Sequence, residues 1–312
     1  MYREIVVPID DASTGFEAVP TAAELSRRAG VALAVLSLVG RGSPAGSDPA
    51  VVERRLAEVD RGRVGTVVHR HERSRSAIVE YADAVDRLIC MAWGGGNHLL
   101  HPIRSHATER VASHSAHPVL TVGRGCRPDR RTGIRRLVVP LDGSRAGEHA
   151  LDVATLWAMA FDLELELVQV HHPEHHPLPA AIGDRSPTTS DVLECASVRR
   201  RAHEVARTGV AVTYDVLHSR HRNPAAALMG HARAIAGAVL VVSTEGHLGL
   251  RSTAPANVAH RLVARAPVPV LVAHSGDVDE LPAQEFLPPA PDRATTDDDG
   301  DRPLPRVVGP VA

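Results

Sequence analysis

Aromatic side chains are scarce. Phe, Trp and Tyr together make up 3% of the 312-residue chain. Binding of single-stranded nucleic acid by base stacking needs aromatic platforms, so that function class is set aside. A surplus of one charge is also lacking. Lys+Arg is 35 and Asp+Glu is 37, for a formal net charge of −2. A chain this close to neutrality has no global field to draw it onto nucleic acid or anionic lipid. No apolar run approaches the ~20 residues needed to cross a bilayer. Met1-Tyr2-Arg3-Glu4 leads straight into a strand-like segment, so no signal peptide is expected. Cys90, Cys126 and Cys195 lie far apart and form neither a Cys-x-x-Cys pair nor a zinc spacing. A reduced, cytoplasmic compartment is the expectation. There is no Gly-x-Ser-x-Gly elbow and no Walker loop, and Ser144 has no identifiable base partner, so catalysis is not expected.

What the chain has is aliphatic bulk, with 44% hydrophobic residues, and an internal repeat. Ile5-Val6-Val7-Pro8-Ile9-Asp10 matches Leu137-Val138-Val139-Pro140-Leu141-Asp142, 132 residues later. Near the ends of the copies, Glu109-Arg110-Val111-Ala112 through Val122 matches His260-Arg261-Leu262-Val263 through Ala273, 151 residues later. The second copy therefore carries 19 extra residues, placed around His171–Ala196, where Pro, His and Ser are frequent. The copies span 1–123 and 134–274. Residues 124–133 read as a solvated, Arg-containing linker. Residues 275–312, rich in Pro and Asp, have too little apolar content to offset chain entropy and read as a disordered tail.

Each copy alternates short β-branched strands with helical stretches. The strands are expected at Ile5–Ile9, Leu33–Val39, Arg63–His69, Leu88–Trp93 and Pro118–Val122. Their counterparts are Leu137–Leu141, Leu163–Val170, Val210–Leu217, Ala238–Ser243 and Pro269–Ala273. Helices are expected at 14–29 (with Pro20 bending or delaying the first turn), 76–85 and 107–115, and at the matching places of the second copy. Strands apolar on both faces that alternate with helices indicate a parallel sheet covered on both sides, a doubly wound α/β fold of two tandem five-stranded domains. Such sheets take ligands at the carboxyl ends of their strands, where strand order reverses. Asp10 and Asp142 reach that edge. Each could contact a ligand or simply cap the turn that follows.

The loop after the fourth strand carries the most specific signal. It reads Met91-Ala92-Trp93-Gly94-Gly95-Gly96-Asn97-His98 in the first copy and Val242-Ser243-Thr244-Glu245-Gly246-His247 in the second, each followed by a helix. Small residues after a strand let backbone approach a phosphate, and a helix N-terminus offers free N–H groups. With the strand-one Pro-x-Asp and the closing Arg-Val…Pro-Val-Leu segment, both copies resemble the universal stress protein family in a tandem form. The resemblance implies a Rossmann-like, flavodoxin-like fold and a pseudo-dimer packed through the fifth strands. Nucleotide-binding members carry Gly-x2-Gly-x9-Gly-Ser/Thr after strand four. That pattern falls on Ala92, Gly95, Ser105 and His106, and on Ser243, Gly246, Ala256 and Asn257. Only the second glycine is kept in each copy, and the added Cβ atoms restrict backbone that glycine would leave free.

By resemblance, Asp10 and Asp142 would contact a nucleoside, while Pro8, Ile9 and Leu38, or Pro140, Leu141 and Val170, would pack around its base or serve only as sheet core. The implied ligand is ATP, with Mg²⁺, in a regulatory rather than catalytic role. The protein would pass its state to a protein partner, without nucleic acid or membrane, as a monomeric pseudo-dimer or a homodimer. The rival expectation is a nucleotide-independent interaction scaffold whose glycine motif has been lost. An adenylate-forming enzyme is a third reading, but its Ser-Gly-Gly-x-Asp-Ser type of loop is missing after strand one. His171-His172-Pro173-Glu174-His175-His176 reads as a solvated loop, and no metal site is expected.

Overall fold

The computed structural model describes residues 2–9, 15–38, 49–60, 66–70, 78, 81, 87–93, 111, 115, 117–123, 126, 133–171, 189–218, 223–244, 258–274 and 307–308. The first copy contributes β1 (Glu4–Ile9), α1 (Val19–Ala29), β2 (Ala32–Leu38), α2 (Pro49–Asp60), β3 (Thr66–Arg70), β4 (Arg87–Ala92) and β5 (Val119–Val122). The second contributes β6 (Arg136–Pro140), α3 (Arg145–Phe161), β7 (Glu164–His171), α4 (Thr189–Ala206), β8 (Val212–His218), α5 (Pro224–Ala234), β9 (Ala238–Thr244), α6 (Val258–Arg265) and β10 (Val270–His274), before a two-residue β11 (Val307–Val308).

The strands form one sheet of eleven, in the order β11-β8-β7-β6-β9-β10-β5-β4-β1-β2-β3. Within each copy every pairing is parallel and the order is third-second-first-fourth-fifth strand. The copies meet at β5 and β10, the one antiparallel pair among the described residues, with Val270 opposite Thr121 and Val272 opposite Val119. Because side chains alternate along a strand, the sheet has two apolar faces. Ile5, Val7, Leu88, Leu137, Val139, Val239 and Leu271 pack with residues of α1 to α4. Val6, Ile89, Val138, Leu240 and Val270 pack with α5, α6, Ile78 and Val111. Each core runs without a break through both copies, as the doubly wound reading requires.

Pro20 lies in the first turn of α1, where a missing N–H is harmless. The chain reaches it through a 3₁₀ turn, Gly15–Ala18, and α1 starts on Ala18 with no side-chain cap. The helix is thus delayed, as expected from Pro20. Two helices differ from the sequence reading, which placed none between the second and third strands. α2 buries Val52 and Leu56, and α4 buries Val198, Ala202 and Val205. A parallel pair needs a crossover of about a dozen residues or more, and these helices supply it. α4 also begins inside the segment read as a loop insertion. Of the tail read as disordered, Val307–Val308 depart from that expectation by pairing in parallel with Val212–Thr213 of the edge strand β8. In the linker, Cys126 packs against the core, where burial pushes its thiol up to about 12.

Side chains reinforce the join between copies. The buried Thr121 hydroxyl donates to the carbonyl of Val270 at 3.0 Å. Arg28, in the last turn of α1, donates to the carbonyls of Phe161 (2.7 Å) and Asp162 (2.9 Å) at the end of α3, and to that of Ile134. These are carbonyls that a helix end and a turn leave without partners. Tyr2 stands edge-on to Trp157, centroids 6.1 Å apart, and its hydroxyl accepts the indole N–H at 3.3 Å.

Arg28→Met keeps the aliphatic stem and removes all three bonds. It is expected to lower stability by about 1.5–3 kcal/mol, the range for hydrogen bonds made by a charged group, in urea unfolding followed by circular dichroism. Burial raises the Tyr2 hydroxyl to about 12. Its contribution to stability is therefore constant below the ordinary tyrosine value of 10 and is lost between pH 10 and 12. Tyr2→Phe, measured across that range, should show a shallower alkaline fall than the parent.

Candidate functional site

In the second copy the central strand β6 lies between β7 and β9, and the crossovers leave it in opposite directions. The crevice between the carboxyl ends of β6 and β9 is the topological switch point, where open α/β sheets take ligands. β6 ends at Pro140. Leu141 is held by its N–H to the Val168 carbonyl at 2.8 Å. The exposed Asp142 follows, then Gly143 with φ +76°, a left-handed turn that a Cβ would strain. Ser144 is the N-cap of α3, in extended conformation, and its Oγ accepts the Gly147 N–H at 3.1 Å. The Ser144 N–H in turn donates to Asp142 Oδ1 at 2.9 Å.

Asp142 thus does what a turn-capping aspartate does, with one oxygen. Among the described residues no group bonds Oδ2, which remains at the mouth of the crevice beside the positive end of α3. Gly147, which the sequence reading passed over, makes this placement possible. A Cβ there would stand 3.0 Å from Asp142 Oδ1 and 3.6 Å from Ser144 Oγ. The signal was present as Asp-Gly-Ser-x-x-Gly, a cap followed by a glycine in the first helical turn.

Strand alternation divides the other candidates between the two faces. Pro140 lies opposite Val168 in the ladder, and the half-buried Val170 packs with the α5-side core. Leu141 is buried in the α3-side core with Ala150 and Val153. Ser243, on β9 across from Ala273, shares the parity of Val239 and Val241, residues of that same core. Its Oγ is buried and has no hydrogen-bond partner. Pro140 and Val170 therefore come together beside Asp142, while Leu141 and Ser243 lie beneath the start of α3.

The first copy differs at the same place. Pro8 and Ile9 are buried at the end of β1. The 3₁₀ turn lies directly on them, with the Cβ position of Gly15 only 3.3 Å from Ile9 Cγ2. Phe16 is buried in that turn under the Arg55 guanidinium, 4.9 Å from the ring centroid. Ala92, the counterpart of Ser243, ends β4 with a buried methyl group. Leu38 closes β2, its backbone paired with Arg70. Asp10, Gly95, Ser105, His106, Gly246, Ala256 and Asn257 lie outside the described residues, as do His172–His176.

A family model described as the universal stress protein family matches residues 1–123 and 133–274. Among solved structures, the chain is similar to a universal stress protein from Archaeoglobus fulgidus, at 15% identity and a TM-score of 0.62. That match covers 88% of this chain and 100% of that one. A putative universal stress protein from Pseudomonas aeruginosa matches at 16% identity and a TM-score of 0.51, over 88% and 93%. The cytoplasmic domain of a prokaryotic cation chloride cotransporter matches at 13% and 0.50, over 87% and 95%. At such identities the likeness is one of fold. No curated protein sequence matches the chain. Among the described residues no helix is long and apolar enough to cross a membrane.

The turn makes a separable prediction. Ser144→Ala removes the cap and should cost about 1 kcal/mol. Asp142→Asn keeps an oxygen acceptor for the Ser144 N–H, and should leave the urea midpoint within error of the parent.

Proposed function

Because the chain belongs to the universal stress protein family across both copies, we propose that its second domain is a regulatory adenine-nucleotide module, binding ATP with Mg²⁺ in a cytoplasmic stress response. The observation that carries this reading is Asp142. Its carboxylate is fixed through one oxygen at the switch point, with the other free for a ribose hydroxyl. Pro140 and Val170 offer an apolar wall for the base. Mg²⁺ would enter on the phosphates, as it usually does, rather than in a protein cage. The role is one of binding and signalling to a protein partner; the chain needs no second chain to complete the family's paired arrangement.

The first copy suits the rival reading. The 3₁₀ turn packs on Ile9, and the methyl group of Ala92 stands where the second copy has the Ser243 hydroxyl. This half acts as the scaffold that holds the second domain and presents a surface to the partner.

Calorimetric titration with ATP–Mg²⁺ tests the division. One equivalent is expected per chain. Asp142→Asn, stable by the previous criterion, should weaken binding at least tenfold, and Asp10→Asn should leave it unchanged. Equal losses in the two variants would put a site in each copy. No heat and no thermal shift at millimolar ATP would overturn the nucleotide reading and leave the scaffold role for the whole chain.

A further inference from the structure

Glu166 shares a strand face with Glu164, Val168 and Val170. It lies in the first half of β7, two residues before Val168, and is 7% exposed. A buried carboxylate costs several kcal/mol unless charge and hydrogen bonds answer it. Here two side chains answer, and a third stands nearby. His231, on α5, donates from Nε2 to Glu166 Oε1 at 2.7 Å. Arg136, which opens β6, donates to Glu166 Oε2 at 3.3 Å and to Glu164 at 3.0 Å. Asp215, on β8, stands close enough to raise His231 further, although the Glu166 bond is the main cause of that rise. One ligand atom from each of Glu166, Asp215 and His231 lies within 4.8 Å of the other two.

We propose that Glu166, Asp215 and His231 form a binding site for a zinc-class divalent transition-metal ion. One imidazole with two carboxylates suits such an ion, whereas Ca²⁺ and Mg²⁺ take oxygen ligands. Ligand atoms around tetrahedral zinc, each about 2.0–2.2 Å from the metal, stand roughly 3.3 Å apart. The His231–Glu166 pair would open by about half an ångström and Asp215 would approach by up to about 1.5 Å, within the reach of side-chain rotation. Outer partners are in place to orient the ligands. Arg136 holds Glu166 Oε2, and the Val216 N–H donates to Asp215 Oδ1 at 2.8 Å. Asp215 Oδ2 has no bond to another described residue. His231 is 19% exposed, which leaves an entry for the ion and for water as the fourth ligand. The site is independent of the nucleotide crevice, since Glu166 and Arg136 lie toward the amino ends of their strands.

A site of this kind exchanges the His231 proton for the metal. Affinity should therefore rise with pH through the histidine range, with about one proton released per ion. The charged groups that set this competition are Glu166 and Glu164 on β7, Asp215 on β8 and Arg136 on β6. An ion-pair network without metal makes a different prediction, because its variants would alter stability alone.

The test is Zn²⁺ titration by calorimetry on the full chain with His172, His175 and His176 replaced by Ala, which removes adventitious imidazoles. One strong equivalent is expected. His231→Ala should abolish it. Asp215→Asn, which keeps the His231–Glu166 pair, should weaken it at least tenfold with the thermal midpoint retained. Co²⁺ should give the visible spectrum of a tetrahedral site in the parent and not in Asp215→Asn. No strong equivalent in the parent, or unchanged stoichiometry and affinity in Asp215→Asn, would overturn the proposal whether or not His231→Ala folds.

Discussion

The antiparallel pairing of β5 with β10 is the constraint on which the rest of the structure depends. Both strands are apolar on both faces, and left as sheet edges they would expose backbone donors and acceptors to any passing strand. Pairing them with each other removes both edges and joins two five-stranded sheets, so that each apolar face becomes one core across the molecule. It also fixes the direction of everything else. Since every pairing within a copy is parallel and the join is antiparallel, the strands of the two copies run in opposite senses. Their carboxyl ends lie on opposite edges of the sheet. Arg28 and the Tyr2–Trp157 contact hold the α1–α3 side of this join, and Thr121 holds its centre.

Within that symmetric frame the copies diverge at one short segment. In the second copy α3 starts three residues after Asp142, and the helix end, its Ser144 cap and the carboxylate form one hydrogen-bonded unit. In the first copy Pro20 cannot serve deep inside a helix. The helix starts only at Val19, and the intervening chain folds down as a 3₁₀ turn over Ile9. One proline thus accompanies a later helix start in the first copy. The copies also differ at the end of the fourth strand, where the second has Ser243 and the first Ala92.

Much of this was legible in the sequence, for physical reasons that also explain the gaps. Strands buried on both faces announce themselves as apolar runs, and the repeat located all ten strands of the two domains to within a few residues. α2 was not seen because Val52 and Leu56, which mark its buried side among the described residues, are set among Glu53, Arg54 and Arg55. In α4, Val198 and Ala202 flank Arg199, Arg200 and Arg201, and the Pro- and His-rich stretch before it drew attention to composition rather than period. Asp142 was legible as a strand-end aspartate, but its double use needed the coordinates of Ser144. The Glu166 cluster was out of reach, because its members come from three elements and meet only in the folded sheet. Its one local sign is the parity of Glu166, which matches that of buried Val168.

The second domain therefore carries two polar features built on opposite principles. At the crevice, Asp142 is exposed, so its energetic role in the folded chain is small. Beneath α5, Glu166 is buried, and its charge must be balanced whether or not an ion binds; His231 and Arg136 supply that balance. β7 runs through both places, carrying Glu166 near its start and Val170 four residues on, about 13 Å along the strand. At that separation, with no shared partner, their energetics should add rather than couple. A substitution at one place should then leave the other intact, provided the β5–β10 join still holds the sheet on which both are mounted.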